Sequence, residues 1–263
     1  MAETSTIALP LEKRFSFLYY LMTLYTYLLI VLLTLAGTLL FPFLFAAIKI
    51  FTGWTNDRVM RALIWLYGRA WIMLMSPFVR FSRQGFDKTV ISPPYVIVTN
   101  HYSFFDTYCM ALLPFHNVAF AVRAWPFKMF WYAPFMRLAG YLNVEEMELE
   151  GTLSAGARVL TSGASVLFFP EGHRSRDGKL QRFFSGPFQI ACKAGVKILP
   201  LCITGTDVLF PPGRWTMRPA KIRLKILPPI DPSGFEGPDR HIKLRKHTKD
   251  LMAKTIAEMQ AEQ

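Results

Sequence analysis

Apolar side chains fill the early part of the chain, and no charged residue occurs between Phe15 and Ile48. One crossing of a bilayer needs about 20 residues, so this run is longer than one spanning helix and short for two. Gly37 and Pro42 would weaken or bend a helix near its middle. The pattern predicts an N-terminal membrane-embedded helical region at residues 1–78.

Two arrangements of this region fit the charges around it. Lys13 and Arg14 precede the apolar run and Lys49 follows it, and positive charge marks the cytoplasmic side of membrane segments. A re-entrant hairpin with both ends cytoplasmic fits, and so does a single crossing followed by an interfacial helix. The run is too long for a signal peptide and longer than most core helices of soluble domains.

Residues 57–78 mix arginines with bulky apolar side chains, which is typical of an interfacial amphipathic helix and equally of a helix packed on a core. A polar connector with room for one short strand follows at Ser82–Pro94.

Beyond this connector, short apolar runs alternate with stretches of helical periodicity. The predicted strands are Tyr95–Thr99, Val118–Val122, Tyr141–Val144, Ser165–Phe169, Lys197–Ile203 and Ile222–Ile226. The predicted helices are Ser103–Leu113, Phe127–Leu138, Leu149–Thr161, Phe184–Ala194 and His241–Met259. This alternation predicts an α/β domain at residues 79–263, with a mixed, largely parallel sheet flanked by helices. Ligands of such sheets bind near the carboxyl ends of the strands.

The apolar and basic composition of the chain favours a membrane surface as its binding partner. The chain is 52% hydrophobic and carries a formal net charge of +12, which favours a surface that meets anionic lipid headgroups. Nucleic acid competes as the partner of a basic protein, but no arginine-rich tail or nucleic-acid-binding module supports it. Cys109, Cys192 and Cys202 are scattered in apolar surroundings and are predicted to be reduced residues, outside any disulfide or zinc site.

The first chemically distinctive stretch is Asn100-His101-Tyr102-Ser103-Phe104-Phe105-Asp106, at the passage from a strand to a helix. Because His101 lies in the loop and Asp106 in the first helical turn, the two side chains can meet. A carboxylate that holds an imidazole makes it a general base, able to deprotonate an alcohol of the substrate. The simpler interpretation is a polar loop residue beside a helix cap, with Ser103 as the N-cap.

A second distinctive stretch follows the predicted strand that ends at Phe169. Pro170 and Gly172 indicate a tight loop around Glu171. Its basic residues are Arg174, Arg176, Lys179 and Arg182. Arginine binds phosphate through paired charge-assisted hydrogen bonds, although a solvated basic hairpin has the same composition. His101, Asp106, Glu171 and His173 also admit a metal-dependent hydrolase, but the usual helical zinc spacing is absent.

Together these stretches resemble the glycerolipid acyltransferases, and in particular the bacterial 1-acylglycerol-3-phosphate acyltransferase family. Asn100-His101 with Asp106 matches the N-H-x4-D block, and Phe169 to Ser175 resembles the F-P-E-G-T-R-S block with His173 in place of Thr. Ile198-Leu199-Pro200-Leu201 is similar to a later strand block. Arg123 to Glu146 is similar to the intermediate block, but it lacks the Arg that usually closes it.

The resemblance implies an enzyme that needs no cofactor and takes an acyl thioester of coenzyme A or acyl carrier protein as co-substrate. His101 would remove the proton of the sn-2 hydroxyl of lysophosphatidic acid, and Asp106 would orient His101. The implied substrate-binding residues are Asn100, Arg123, Glu171, Gly172 and Arg174. The implied location is the inner membrane, with the catalytic domain on its cytoplasmic face.

Two rival functions stay open at this stage. The missing Arg after Val144 admits another acceptor, such as lyso-ornithine lipid or a lysophospholipid with a larger headgroup. A non-catalytic lipid-binding module with the same fold is the other rival, although both chemical blocks are intact.

Overall fold

A seven-stranded sheet with helices on both faces forms the centre of the molecule. The structure is a computed structural model that describes residues 11–86, 92–175, 177–211 and 213–262, and the side chains from residue 17 onward. The strands are β1 (Val79–Gln84), β2 (Val96–Thr99), β3 (Val118–Val122), β4 (Leu142–Asn143), β5 (Ser165–Phe168), β6 (Ile198–Thr204) and β7 (Ala220–Ile226). Their order across the sheet is β1-β7-β6-β2-β5-β3-β4.

Five neighbouring strands, from β6 to β4, run parallel, and β7 pairs with β6 in the antiparallel sense. This confirms the predicted α/β class with its mixed, largely parallel sheet. Alternate residues of the strands enter different cores: Ile97 belongs to one apolar cluster, whereas Val96 and Val98 belong to another. Because both faces are covered, β2 and β5 are apolar at nearly every position.

The α-helices complete the layers. They are α1 (Leu11–Thr52), α2 (Asn56–Met75), α3 (Asp106–Cys109), α4 (Ala124–Phe127), α5 (Ala133–Leu138), α6 (Leu149–Thr161), α7 (Gly186–Ala194), α8 (Thr206–Leu209) and α9 (Arg240–Ala261). Two 3₁₀ turns, Met110–Leu112 and Pro232–Gly234, are added to these.

The apolar N-terminal run forms one continuous helix of 42 residues, α1, with Pro42 inside it. Of the two arrangements left open by the sequence, the re-entrant hairpin is therefore wrong. No polar turn sequence interrupts the run, and a continuous helix satisfies its backbone hydrogen bonds within the segment. Phe17–Thr52 is long and apolar enough to cross a membrane, so a membrane segment at the N-terminus remains consistent with the fold.

One stripe of α1 packs against the rest of the protein along almost the whole helix. Near its start, Thr23 accepts a hydrogen bond from the backbone N–H of Met217 at 2.8 Å. In its second half, the rings of Phe41 and Phe135 meet edge to face at 5.2 Å, and Ile48 joins a small core with α2. The opposite face exposes its leucines and phenylalanines.

The second helix is a packed helix rather than a free amphipathic one. Val59, Met60, Trp71 and Met75 of α2 are buried. Arg61 is also buried: its Nε donates to the carbonyl of Ala139, and it forms an ion pair with Asp57. Of the two interpretations of residues 57–78, core packing describes these contacts. The division between residues 78 and 79 stays a prediction, and residues 1–10 lie outside the described part of the chain.

Several predicted boundaries shift where tertiary structure intervenes. The helix expected at Ser103–Leu113 starts only at Asp106 and tightens into a 3₁₀ turn. The helix expected at Phe127–Leu138 is split into α4 and α5, with Pro134 in the first turn of α5, a position that suits proline. β1 begins three residues before the connector in which a short strand was expected and ends inside it, and α8 is an additional element. Residues 87–91 of the predicted connector lie outside the described residues.

The three cysteines are free thiols, with Cys109 and Cys202 buried and Cys192 half-buried.

Substituting one glycine beside the sheet should destabilise the protein more than substituting another with the same backbone conformation. Gly205 has φ +88°, and an added Cβ would lie 2.1 Å from the carbonyl oxygen of Lys221 in β7, whereas Gly163 has φ +78° and open space around it. Gly163→Ala should cost about 1–2 kcal/mol from the backbone conformation alone. Gly205→Ala should lower the thermal unfolding midpoint in detergent clearly further, and equal shifts would contradict the predicted clash.

Candidate active site

His101 and Asp106, predicted to form a dyad, are in direct contact. Nδ1 of His101 lies 2.8 Å from Oδ2 of Asp106, and the two side chains are 17% and 0% exposed. A carboxylate only accepts hydrogen bonds, so Nδ1 is the protonated nitrogen and Nε2 is left as the basic one. The ring therefore presents a base, while its orienting partner is withdrawn from solvent.

The same oxygen of Asp106 holds the loop as well as the ring. Oδ2 also accepts the backbone N–H groups of Tyr102 at 2.7 Å and Ser103 at 2.8 Å. These contacts arise because α3 begins at Asp106, so that the loop before it curls around the carboxylate. The N-cap position of α3 is Phe105 and not the expected Ser103. The contacts of a capping box are nevertheless partly present, because Oγ of Ser103 accepts the N–H of Phe105 at 3.5 Å while Asp106 binds the N–H of Ser103.

Phe169 covers one face of the base. Its ring is stacked on the imidazole of His101, with 4.1 Å between the ring centroids. This places an apolar wall beside the ring and restricts rotation of the imidazole about its Cβ–Cγ bond.

Glu171 supports the backbone of both loops. Its Oε1 accepts the N–H of His101 at 2.8 Å and its Oε2 accepts the N–H of Gln181 at 2.7 Å. The side chain is 1% exposed. Burial raises the pKa of this carboxyl, and the hydrogen bonds from Gln181 and His101 oppose the rise. Both oxygens are engaged by the protein, so the geometry indicates a positioning residue instead of the predicted substrate ligand.

Asn100 is likewise turned inward. Its Nδ2 donates to the carbonyl of Ile203 and its Oδ1 accepts the N–H of the same residue, each at 2.8 Å. Asn100 is fully buried. It therefore fastens the end of β2 to the end of β6. Because it is enclosed and does not line the cavity, the geometry indicates a positioning role instead of the substrate-binding role that the sequence predicted.

Gly172 and Arg174 lie where a substrate would meet His101. Both line one large cavity together with His101 and His173. The side chain of Arg174 is exposed and makes no hydrogen bond or ion pair with other described residues. Gly172 has φ +74°, and an added Cβ would approach Phe184 to 2.7 Å, so a side chain at this position would crowd the loop. Arg176 lies outside the described residues.

Arg123 lines the same cavity but is already paired. Its Nη2 lies 2.5 Å from Oε1 of Glu145, whose Oε2 accepts the N–H of Ala124 at 2.9 Å. The hydrogen bond to Glu145 raises the pKa of Arg123. Glu145 thus offsets the charge of Arg123 in the stretch that lacks its expected closing Arg.

The cavity that these residues border has a volume of about 2190 Å³. Helices α1 and α2 supply apolar walls, among them Leu33, Leu40 and Ile64, and the segment from Trp125 to Phe135 supplies aromatic ones. A site with a general base at its border and an apolar interior suits a substrate that joins a hydroxyl to a long hydrocarbon chain.

Among the described residues, no group of three or more His, Cys, Asp and Glu side chains is placed to hold a metal ion.

A family model described as Acyltransferase matches residues 61–204, a segment that contains the dyad and the Glu171 loop. The chain belongs to the acyltransferase family. This confirms the family resemblance carried by the motifs. The matched segment begins within α2 and ends with β6.

Relatives within the acyltransferase family extend the comparison. The chain is 35% identical over 149 residues to a 1-acyl-sn-glycerol-3-phosphate acyltransferase of Chlamydomonas reinhardtii, covering 52% of this chain and 43% of that protein. It is 32% identical over 162 residues to the chloroplastic enzyme BAT2 of Brassica napus, covering 60% and 47%. The chain thus spans about half the length of these curated relatives.

One solved structure matches a larger share of the chain than these relatives do. The crystal structure of the 1-acyl-sn-glycerophosphate (LPA) acyltransferase PlsC from Thermotoga maritima matches 94% of this chain and 98% of its own, with a TM-score of 0.75 and 26% identity. The shared acyltransferase fold therefore includes the N-terminal helices as well as the sheet.

Substituting Glu171 should separate a positioning role from substrate binding. Glu171→Gln sets an amide NH₂ against a backbone N–H, and an unmet buried hydrogen bond costs about 1–3 kcal/mol. We expect a lower unfolding temperature and a kcat reduced about tenfold or more, with KM for the acceptor little changed. Glu150→Gln, at an exposed position, is the matched control and should behave like the unmodified protein. A selective rise in KM would assign Glu171 to the substrate instead.

Proposed function

We propose that this protein is a membrane-bound O-acyltransferase that moves a fatty acyl group from an acyl thioester to the sn-2 hydroxyl of 1-acylglycerol-3-phosphate, making phosphatidic acid. The observation that carries the proposal is the His101–Asp106 dyad at the border of a large apolar cavity, beside the exposed Arg174. The names of the relatives and of the matching crystal structure support the same reaction.

The reaction follows from the orientation of the ring. Nε2 of His101 takes the proton of the acceptor hydroxyl as the oxygen attacks the thioester carbonyl. The tetrahedral intermediate then expels the thiolate, which receives the proton from the imidazolium. Asp106 stabilises the charged ring in between, and general-base assistance of this kind contributes about 10²–10⁴ in rate.

No acyl-enzyme intermediate is part of the proposal. Ser103 and Cys109 are near the base in sequence, and both are buried. Burial raises the pKa of the Cys109 thiol, which disfavours its nucleophilic form. Direct transfer needs no cofactor, and the thioester of coenzyme A or acyl carrier protein acts as co-substrate.

The phosphate of the acceptor would be held by Arg174, with Gly172 keeping the loop open beneath it and Arg123 adding charge. Arginine suits a phosphate monoester because its planar guanidinium donates two parallel hydrogen bonds. A second acceptor class is favoured by one observation: Glu145 offsets Arg123, which leaves less positive charge than a phosphate monoester would exploit. Lyso-ornithine lipid and lysophospholipids with larger headgroups are therefore the alternative acceptors.

The packing of α1 supports the proposed membrane position. Its contacts with the rest of the protein extend from Tyr19, whose ring lies below Arg218, to Lys49, whose ammonium binds Asn56. At 1.5 Å per residue this contact line is roughly 45 Å long. A perpendicular crossing would draw the attached domain into the bilayer. We therefore propose that α1 lies within one leaflet of the inner membrane, its exposed apolar face among the acyl chains, with the catalytic domain on the cytoplasmic side.

This position gives the acceptor a direct path to the base. Leu40, Phe41 and Leu44 of α1 line the cavity that reaches His101. A lysolipid can therefore move sideways from the leaflet into the cavity while the water-soluble thioester arrives from the aqueous side.

Removing the base should abolish transfer without removing lipid binding. We expect His101→Ala and Asp106→Asn each to lower the initial rate of acyl transfer from labelled acyl-CoA by about 10²–10⁴, with vesicle binding retained. His247→Ala, at an exposed position on α9, is the matched control and should keep full activity. Transfer that survives His101→Ala would eliminate this mechanism, and vesicle binding without any transfer by the unmodified protein would favour the lipid-binding module.

The acceptor assignment can be tested with a panel of lysolipids. We expect lysophosphatidic acid to be the preferred acceptor, and Arg174→Ala to raise its KM about tenfold, because hydrogen bonds to charged groups contribute about 1.5–3 kcal/mol. Arg182→Ala, on the same segment but outside the cavity lining, should have little effect. Transfer to lyso-ornithine lipid or lysophosphatidylcholine, with lysophosphatidic acid ignored, would refute the assignment while leaving the acyltransferase intact.

A further inference from the structure

A compact aromatic turn joins α4 to α5. We define this aromatic turn as residues 128–132, from Lys128 to Tyr132. Its outermost side chains are Phe130, 82% exposed, and Trp131, 55% exposed, whose rings meet edge to face at 4.8 Å. Bulky apolar groups exposed side by side mark a surface that contacts something other than water.

Backbone hydrogen bonds within the α4–α5 segment hold the aromatic turn in shape. The N–H of Lys128 is bound to the carbonyl of Trp125, that of Met129 to Pro126, and that of Tyr132 to Met129. Irregular backbone is costly near hydrocarbon unless its polar groups have partners. This turn therefore presents aromatic side chains outward while keeping these N–H groups paired.

The aromatic turn continues the apolar surface of α1. Phe135, three residues beyond it, packs against Phe41 of α1, and Phe130 and Trp131 line the same cavity as Leu40 and Leu44 of that helix. The exposed face of α1 and the aromatic turn thus border one opening from two sides.

The chemistry of the aromatic turn is that of a membrane interface. Tryptophan and tyrosine gather at the headgroup level of bilayers, and Trp131 and Tyr132 are both exposed here. The exposed cations Lys128 and Arg137 flank them, and cations beside the surface are attracted to anionic headgroups.

We propose that the aromatic turn inserts into the boundary between headgroups and acyl chains of a phospholipid bilayer, as a second attachment point beside α1. The proposal rests on the proposed membrane position of α1. It places the opening of the cavity between two inserted elements, so that a lysolipid enters without crossing water.

Site-specific fluorescence quenching tests this insertion. The full chain, with Cys192→Ser to remove the half-buried thiol, carries one added cysteine labelled with an environment-sensitive fluorophore and is reconstituted into phosphatidylcholine–phosphatidylglycerol vesicles. The cysteine is introduced as Phe130→Cys in the aromatic turn, as Leu39→Cys on the exposed face of α1, and as Ile242→Cys on α9. Vesicles that contain nitroxide-labelled phosphatidylcholine quench only labels within the bilayer, and iodide quenches labels in water.

We expect the labels at positions 130 and 39 to be quenched by the nitroxide lipid and protected from iodide, and the label at 242 to show the reverse. A label at 130 that responds to iodide like the one at 242, while 39 is quenched by lipid, overturns the insertion of the aromatic turn and leaves the position of α1 standing. A label at 130 protected from both quenchers means that protein covers the turn, which also overturns the proposal. Absence of lipid quenching at both 130 and 39 refutes the membrane position itself.

Discussion

One buried carboxylate oxygen fixes the geometry on which the chemistry depends. Oδ2 of Asp106 accepts hydrogen bonds from the ring of His101 and from two backbone N–H groups of the loop. A charge withdrawn from water is tolerated only with such partners, and charge-assisted hydrogen bonds are stronger than neutral ones. The imidazole is therefore oriented before any substrate arrives, and the oxygen that orients it cannot be displaced by solvent.

The parallel strands supply the rest of this precision. Val98 of β2 is paired with Phe168 of β5 and with Pro200 of β6, so β2 and β5 end at nearly the same level while β6 continues beside them to Thr204. From there Asn100 is bound to β6 and the N–H of His101 to Glu171. Adjacent residues of the same loop are thus held from opposite sides. The loop that carries His101 and the loop that carries Glu171 behave as one unit, because each supplies hydrogen-bond partners to the other.

Local sequence patterns predicted much of this arrangement, and what they missed depends on distant contacts. The spacing of His101 and Asp106 was sufficient to predict that their side chains meet, because both residues lie in one short segment. The inward roles of Asn100 and Glu171 were missed, because their partners lie 103 and 70 residues away. The stripe of α1 that packs on the domain was also missed, because its partners, such as Met217 and Phe135, lie far along the chain.

The packing of α1 has a consequence for how the protein can be handled. Met22 of this helix is buried in the same apolar core as Trp71 and Leu199, with Ile30 and Leu33 packed against it. The helix thus serves as a wall of the folded interior while its other side is turned outward. Cutting it away to obtain a water-soluble fragment would open that interior to solvent. Solubility would have to come from polar replacements on the outward side, with the inner stripe kept.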